Sequence, residues 1–242
     1  MELFFVNGGG TSKYDIIACK LGYKIGVNSG GAYKTTLPIK MIDNNWMNYC
    51  HQTHLHLIKA HLPELATVQD IEDVSQVTSS LNMAEEILPY CSKVILIPKI
   101  DCMTEIKDFA RNREETILLG YPVGRHEDTN RLRYYLHSDL RIHLLGGSFK
   151  RIYRLYKELK SIIFSMDSNY VSRIAGFGKL CTVAGDRKPD TREVQSGKDF
   201  NYRCFEYSML QFKELINNNP VLTDIKLDRQ LAQERPYQLS LF

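Results

Sequence analysis

The sequence has no apolar run approaching the ~18 residues that a membrane-spanning helix needs. It has no Cys-x-x-Cys pair. Its six cysteines, Cys19, Cys50, Cys91, Cys102, Cys181 and Cys204, lie far apart, and no Cys/His cluster has zinc-finger spacing. This pattern reads as scattered reduced thiols in a cytoplasmic protein. Neither a GxGxxG fingerprint nor a lysine-bearing phosphate loop is present, so Gly8-Gly9-Gly10 reads as a flexible turn. Internal repeats and low-complexity tracts are absent. The apolar start, Met1 to Val6, lacks a basic region and reaches glycines at once, which predicts a strand and not a signal peptide. A net charge of +3 does not demand a polyanionic partner, although local clustering can supply a basic face.

What is present fits an α/β protein. The 242 residues are 43% hydrophobic and 24% charged, within the range of an ordinary globular chain. Short β-branched or aromatic runs predict strands at Leu3–Val6, Tyr23–Val27, Ile39–Ile42, Leu65–Val68, Val94–Ile97, Ile117–Leu119, Ile142–Leu145 and Ile162–Ser165. Helical spacing links Leu55, Ile58 and Leu62, then Leu81, Ala84, Ile87 and Leu88. It recurs in Met103, Ile106, Phe109 and Ala110, and in Ile152, Leu155, Tyr156 and Leu159. Alternating strands and helices imply a parallel sheet. Eight strands at this length predict a closed (β/α)8 TIM-like barrel over residues 1–175. An open doubly wound sheet is the alternative, should the runs before residue 43 form a hairpin or loop. Residues 176–242 read as a C-terminal loop and helix packing on the barrel. The turn signals between Gly176 and Asp199 predict exposed turns or a mobile loop, and a helix follows from Tyr202 to Asn217. The tail ends on the apolar Leu239-Ser240-Leu241-Phe242, suited to docking on the barrel or on a partner.

Chemistry collects at the C-terminal ends of barrel strands. Those ends read Asn7 with its glycines, Asn28-Ser29-Gly30-Gly31, Asp43, Asp70, Pro98-Lys99, Gly120-Tyr121, Gly146-Gly147 and Asp167. Glycines let a flat ligand approach the backbone, and carboxylates serve as bases, nucleophiles or acceptors. Each acid also has a plain structural reading. Asp70 and Asp167 suit helix caps, and Asp43 suits a turn. His51, His54 and His56 crowd one helix but lack an evident acidic third ligand for a metal. His126 falls in a loop, and His143 falls inside a strand, where a structural role is expected. Lys150, Arg151, Arg154, Lys157 and Lys160, then Arg173, Lys179, Arg187, Lys188, Arg192, Lys198 and Arg203, concentrate positive charge in the C-terminal part with interleaved tyrosines. That composition suits phosphate contacts, or simply a solvated face.

Three segments, Leu118-Leu119-Gly120-Tyr121-Pro122-Val123-Gly124, Ile142-His143-Leu144-Leu145-Gly146-Gly147-Ser148 and Phe164-Ser165-Met166-Asp167-Ser168-Asn169, resemble the C-terminal barrel half of the tRNA-guanine transglycosylase superfamily. The chain is most similar there to the shorter phage DNA deazaguanine transglycosylases of the DpdA type. The resemblance spans about Tyr23 to Ala175. It implies exchange of guanine in DNA for a free 7-deazaguanine through a covalent aspartyl intermediate, with no cofactor. Asp167 matches the nucleophile, and Asp70 the acceptor for the base edge. Gly120, Tyr121, Leu145 and Gly146 match base-contacting segments, and Lys99 falls where a polar base-reading side chain stands. Lys150, Arg151, Arg173, Arg187 and Lys188 are the expected nucleic-acid contacts.

The chain departs from the family in two places. Asn28 stands where the tRNA enzymes carry an aspartate general base, leaving Asp43 as the candidate replacement. The family's zinc-binding cysteines are missing, which favours DNA over tRNA. Two other readings compete: a barrel that binds bases without catalysis, and a glycosylase that hydrolyses the same bond.

Overall fold

The structure is a computed structural model that describes residues 1–7, 12–30, 35–44, 47–124 and 129–218. Gly8-Gly9-Gly10, His126 and the tail from residue 219 fall outside the described residues. Eight parallel strands close into a barrel in sequence order: β1 (Glu2–Asn7), β2 (Lys24–Asn28), β3 (Ile39–Asp43), β4 (Leu65–Thr67), β5 (Lys93–Leu96), β6 (Ile117–Pro122), β7 (Arg141–Leu145) and β8 (Ile163–Asp167). β8 returns to pair with β1, which rules out the open sheet. The helices are α1 (Lys13–Lys20), α2 (His51–His61), α3 (Val77–Ile87), α4 (Met103–Ala110), α5 (Thr129–Leu136), α6 (Phe149–Leu159), α7 (Tyr170–Gly176) and α8 (Phe200–Asn217).

Two apolar layers hold the fold. Val6, Phe4, Met41, Leu65, Ile95, Ile97 and Leu118 fill the barrel interior, while a larger shell sits between strands and helices. α8 closes that shell. Its Phe205 meets Phe5 of β1 edge-on at 5.2 Å, and Phe212 stacks on Phe149 of α6 at 4.1 Å. The buried Tyr23 hydroxyl donates to the Met209 carbonyl at 2.8 Å, tying α8 to the start of β2.

Two strands carry a one-residue irregularity. Ile142 pairs with Ile163 but His143 pairs with Ser165, so Phe164 is an extra residue in β8. Ile25 pairs with Ile39 but Gly26 pairs with Met41, so Lys40 is extra in β3. A bulge resets the alternation of faces downstream of it. Ile163 and Ile39 face the helices, yet Ser165, Asp167, Met41 and Asp43 turn inward. Without these bulges both aspartates would point into the apolar shell.

Three expectations need adjustment. α1 joins β1 and β2 where no helix was expected, capped by a reciprocal Ser12–Asp15 box. Leu62 leaves the apolar stripe of α2 and adopts a left-handed backbone at its C-terminus, 64% exposed. Residues 176–199, expected as turns or a mobile loop, contain an antiparallel hairpin of β9 (Leu180–Thr182) and β10 (Gly185–Arg187).

Candidate active site

The C-terminal mouth of the barrel gathers Asp43, Asp70 and Asp167. Asp167 ends β8 and is almost buried. Its Oδ1 accepts from His143 Nε2 at 3.0 Å and from the Gly146 N–H at 3.2 Å. Among the described residues, Oδ2 takes no hydrogen bond. His143 is fully enclosed, and its Nδ1 lies 2.7 Å from Ser165 Oγ. A carboxylate only accepts, so Nε2 carries a proton, and in the neutral imidazole Nδ1 accepts from the serine hydroxyl. This chain fixes the imidazole and, through it, the rotation of Asp167. The strand-embedded His143 is therefore more than core filling. The cap reading of Asp167 fails, because Ser168 Oγ accepts from Tyr170 N–H at the start of α7.

Asp43 ends β3 and accepts from Thr67 Oγ1 at 3.2 Å. As a residue it is partly exposed, but its carboxyl group is enclosed by protein. Burial, followed by the neighbouring Asp167 charge, pushes the Asp43 carboxyl up to about 8. Hydrogen bonds from the Thr67 hydroxyl and the Asn44 backbone oppose this rise, and the Asp70 charge adds to it. At neutral pH this favours the protonated form of Asp43.

Asp70 lies in the loop after β4. Its Oδ1 accepts from Asn44 Nδ2 at 3.1 Å and its Oδ2 pairs with Lys99 Nζ at 2.8 Å. The capping role that Asp70 suited belongs to Asp73, whose carboxylate accepts from Ser75 N–H. Burial disfavours the Lys99 charge, but hydrogen bonds to Asp70 and Glu72 outweigh it and raise the ammonium above its ordinary range. Asn28 is committed locally. Its amide donates to the Asn44 carbonyl at 2.6 Å and its Oδ1 accepts from Gly30 N–H at 3.0 Å. It holds the loop that supports Asp70.

Gly120 faces inward. A Cβ there would lie 2.8 Å from Ile97 and Leu145 side-chain atoms, so glycine leaves room for an apolar floor under the mouth. Leu145 packs on the interior cluster. Tyr121 points the other way, into the outer shell, with its ring edge-on to Tyr135 at 5.3 Å. Any ligand contact of Tyr121 is therefore through its backbone.

Beside Asp167 a cleft of about 1080 Å³ opens between the loops after β1, β6, β7 and β8. Lys150, Arg151 and Arg173 line it, together with Ser148, Asn169 and Tyr170. Gly147, at φ +91°, lets the β7 loop pass against Val123, where a Cβ would come within 2.7 Å. Arg187 and Lys188 do not join this cleft. Arg187 pairs with Glu193 and lines a separate recess beside α8, and Lys188 is exposed beside it. His51 and His54 also part company. His51 bonds Glu86 at 2.8 Å, whereas the buried His54 bonds the Thr67 carbonyl at 2.6 Å. Among the described residues no cluster of His, Cys, Asp and Glu has the form of a metal site, and no helix is long and apolar enough to cross a membrane. All six cysteines are free.

A family model described as a family of unknown function (DUF6610) matches residues 18–217, and the chain belongs to that family. The match takes in every barrel strand except β1. No curated protein matches the sequence.

Proposed function

We propose that this member of a family of unknown function is a transglycosylase that exchanges guanine in DNA for a 7-deazaguanine base. One observation supports the reading: two bulged strands turn Asp43 and Asp167 into the same mouth, where burial and the Asp167 charge raise the Asp43 carboxyl and His143 holds Asp167, whose Oδ2 takes no hydrogen bond among the described residues. Paired carboxyl groups in unlike environments divide acid–base and nucleophilic work.

In the proposed reaction Asp167 Oδ2 attacks the anomeric carbon of the target deoxyguanosine. The carbon–N9 bond breaks, its electron pair leaves with the base, and the Asp43 proton neutralises the departing guanine. A covalent deoxyribosyl ester on Asp167 remains. The incoming 7-deazaguanine then gives its N9 proton to the Asp43 carboxylate while N9 attacks the anomeric carbon and releases Asp167. Proton and electron pair both return to their starting places, so the exchange consumes no cofactor.

The surrounding residues suit the two substrates. A flat base resting on Leu145 and the Gly120 backbone presents its donor edge to Asp70, which Lys99 holds in place at 2.8 Å. Asn28 supports that loop, and Asp43 supplies the acid that Asn28 cannot. Extruding the target base takes on the order of a few kcal/mol. Backbone contacts in the cleft of Lys150, Arg151 and Arg173 offset it, at the loops after β7 and β8 where barrels often hold phosphate.

The test is a denaturing gel of DNA incubated with the protein. The wild type is expected to leave a covalent protein–DNA band, and Asp167→Ala none. A barrel that only binds bases would give no band in either protein. A glycosylase would give abasic sites when no free base is supplied, and that result would replace the exchange reading.

A further inference from the structure

The sequence closes on Gln238-Leu239-Ser240-Leu241-Phe242, which the chemistry of the barrel mouth leaves unused. α8 buries its own apolar side chains Phe205, Met209, Phe212 and Ile216. The pentapeptide places one side-chain amide ahead of a leucine, then a small polar residue, then an adjoining leucine and phenylalanine. Few, large anchors at fixed spacing are the pattern of a short recognition peptide, in which the anchors carry most of the binding energy. A matching groove has a polar end for the amide and adjoining apolar pockets for Leu239 and the Leu241-Phe242 pair.

We propose that this segment docks the protein on a DNA-encircling sliding clamp of the bacterial type, a ring whose subunits present such a groove to peptides of the Gln-Leu-Ser-Leu-Phe pattern. Residues 219–237 separate the segment from α8. Fully extended, that stretch reaches up to about 60 Å, enough for the barrel to work on DNA passing through the ring. The basic cleft beside Asp167 supplies only a small set of phosphate contacts, and binding of that kind weakens steeply with salt. A tether to a ring already on the DNA raises the local substrate concentration toward the millimolar range without any new DNA contact. This inference does not depend on which reaction the mouth performs. It needs only that the substrate is DNA.

The competing site is within the chain. A recess of about 460 Å³ lies beside Asn218, where α8 ends, lined by Phe149, Val183, Phe212 and Leu215 together with Arg187 and Glu214. It accommodates apolar side chains but gives the Gln238 spacing no particular role.

The experiment titrates a purified bacterial sliding clamp with the full chain, with Leu241→Ala/Phe242→Ala, and with a synthetic peptide of residues 234–242. Saturable binding in the micromolar range is expected for the full chain and the peptide, weakened at least about tenfold in the double variant, whose melting temperature stays unchanged. Absence of binding by the full chain, or equal binding by the variant, would overturn the proposal. So would a lowered melting temperature in the variant without clamp binding by either protein, which would place the segment in the recess. Asp167→Ala is expected to bind the clamp as the wild type does, so failure of clamp docking and failure of base exchange are read separately.

Discussion

Replacing Asp43 with asparagine removes an acid whose protonated form the barrel mouth favours, and the consequence for stability has a definite sign. An ordinary aspartate titrates near 3.9, whereas Asp43 in the folded barrel titrates near 8. Between those values the unfolded chain releases a proton that the folded chain retains, so wild-type stability falls as pH rises from about 4 and levels off above about 8. Each tenfold difference in proton affinity corresponds to about 1.4 kcal/mol. At about pH 7 the penalty is therefore at most about 4 kcal/mol, and water reaching the mouth reduces it. The substituted asparagine keeps an acceptor for the Thr67 hydroxyl but has no proton to lose. We expect Asp43→Asn to match the wild type within about 0.5 kcal/mol near pH 4.5 and to exceed it by about 1–3 kcal/mol near pH 8. Urea unfolding of both proteins at the two pH values measures this, with equal m-values showing that only stability has changed. A difference that does not grow with pH, or an Asp43→Asn protein less stable than the wild type at pH 8, would refute the buried-acid account. The same variant is expected to lose about 10²–10⁴-fold in base exchange, the usual span of a general acid–base group.

Other perturbations probe the neighbours. His143→Gln removes the ring that orients Asp167; a hydrogen bond to a charged group contributes about 1.5–3 kcal/mol, so kcat should fall tenfold to a hundredfold with KM little changed. A rise in KM alone would assign His143 to binding. Lys150→Ala and Arg173→Ala should each weaken DNA binding on all sequences and reduce the salt slope by about one, whereas Lys188→Ala, outside the cleft, should do neither. Gly120→Ala forces a methyl against Ile97 and Leu145, which should destabilise by about 1–3 kcal/mol and lower the melting temperature about 2–4 °C per kcal/mol. An unchanged melting temperature would mean that the floor has slack.

The eight strands were readable because a parallel barrel buries both strand faces, which leaves near-continuous apolar runs such as Val94–Ile97 and Ile142–Leu145. The strand-end aspartates stood out because each run stops at an acid. Which way they point was not readable. The bulges at Phe164 and Lys40 leave no mark in one-dimensional periodicity, since Ile39 and Met41 are equally apolar although they face opposite sides. The contact of His143 with Asp167 was not readable for a related reason. The histidine's partner Ser165 lies on the neighbouring strand, and only the pairing of β7 with β8 brings the two together. The matching alternations His143/Leu145 and Ser165/Asp167 are the one signal that pointed there. α1 is short and weakly amphipathic, so its apolar spacing is uninformative, but the Ser12-x-x-Asp15 cap was legible. Charge clustering along the chain did not show which basic residues share a cleft. Arg187 and Lys188 are close in sequence to Arg173, yet they do not line the cleft, although Gly185 and Asp186 of the same hairpin do.

The central claim is that Asp167 carries the sugar while one base leaves and another enters. Mass spectrometry of nucleosides from DNA incubated with the protein and an isotope-labelled 7-deazaguanine measures this directly. The account predicts labelled deazaguanine deoxynucleoside, with guanine released in equal amount, from the wild type and none from Asp167→Ala. Unlabelled DNA after wild-type incubation, or equal labelling by the Asp167→Ala protein, would contradict it.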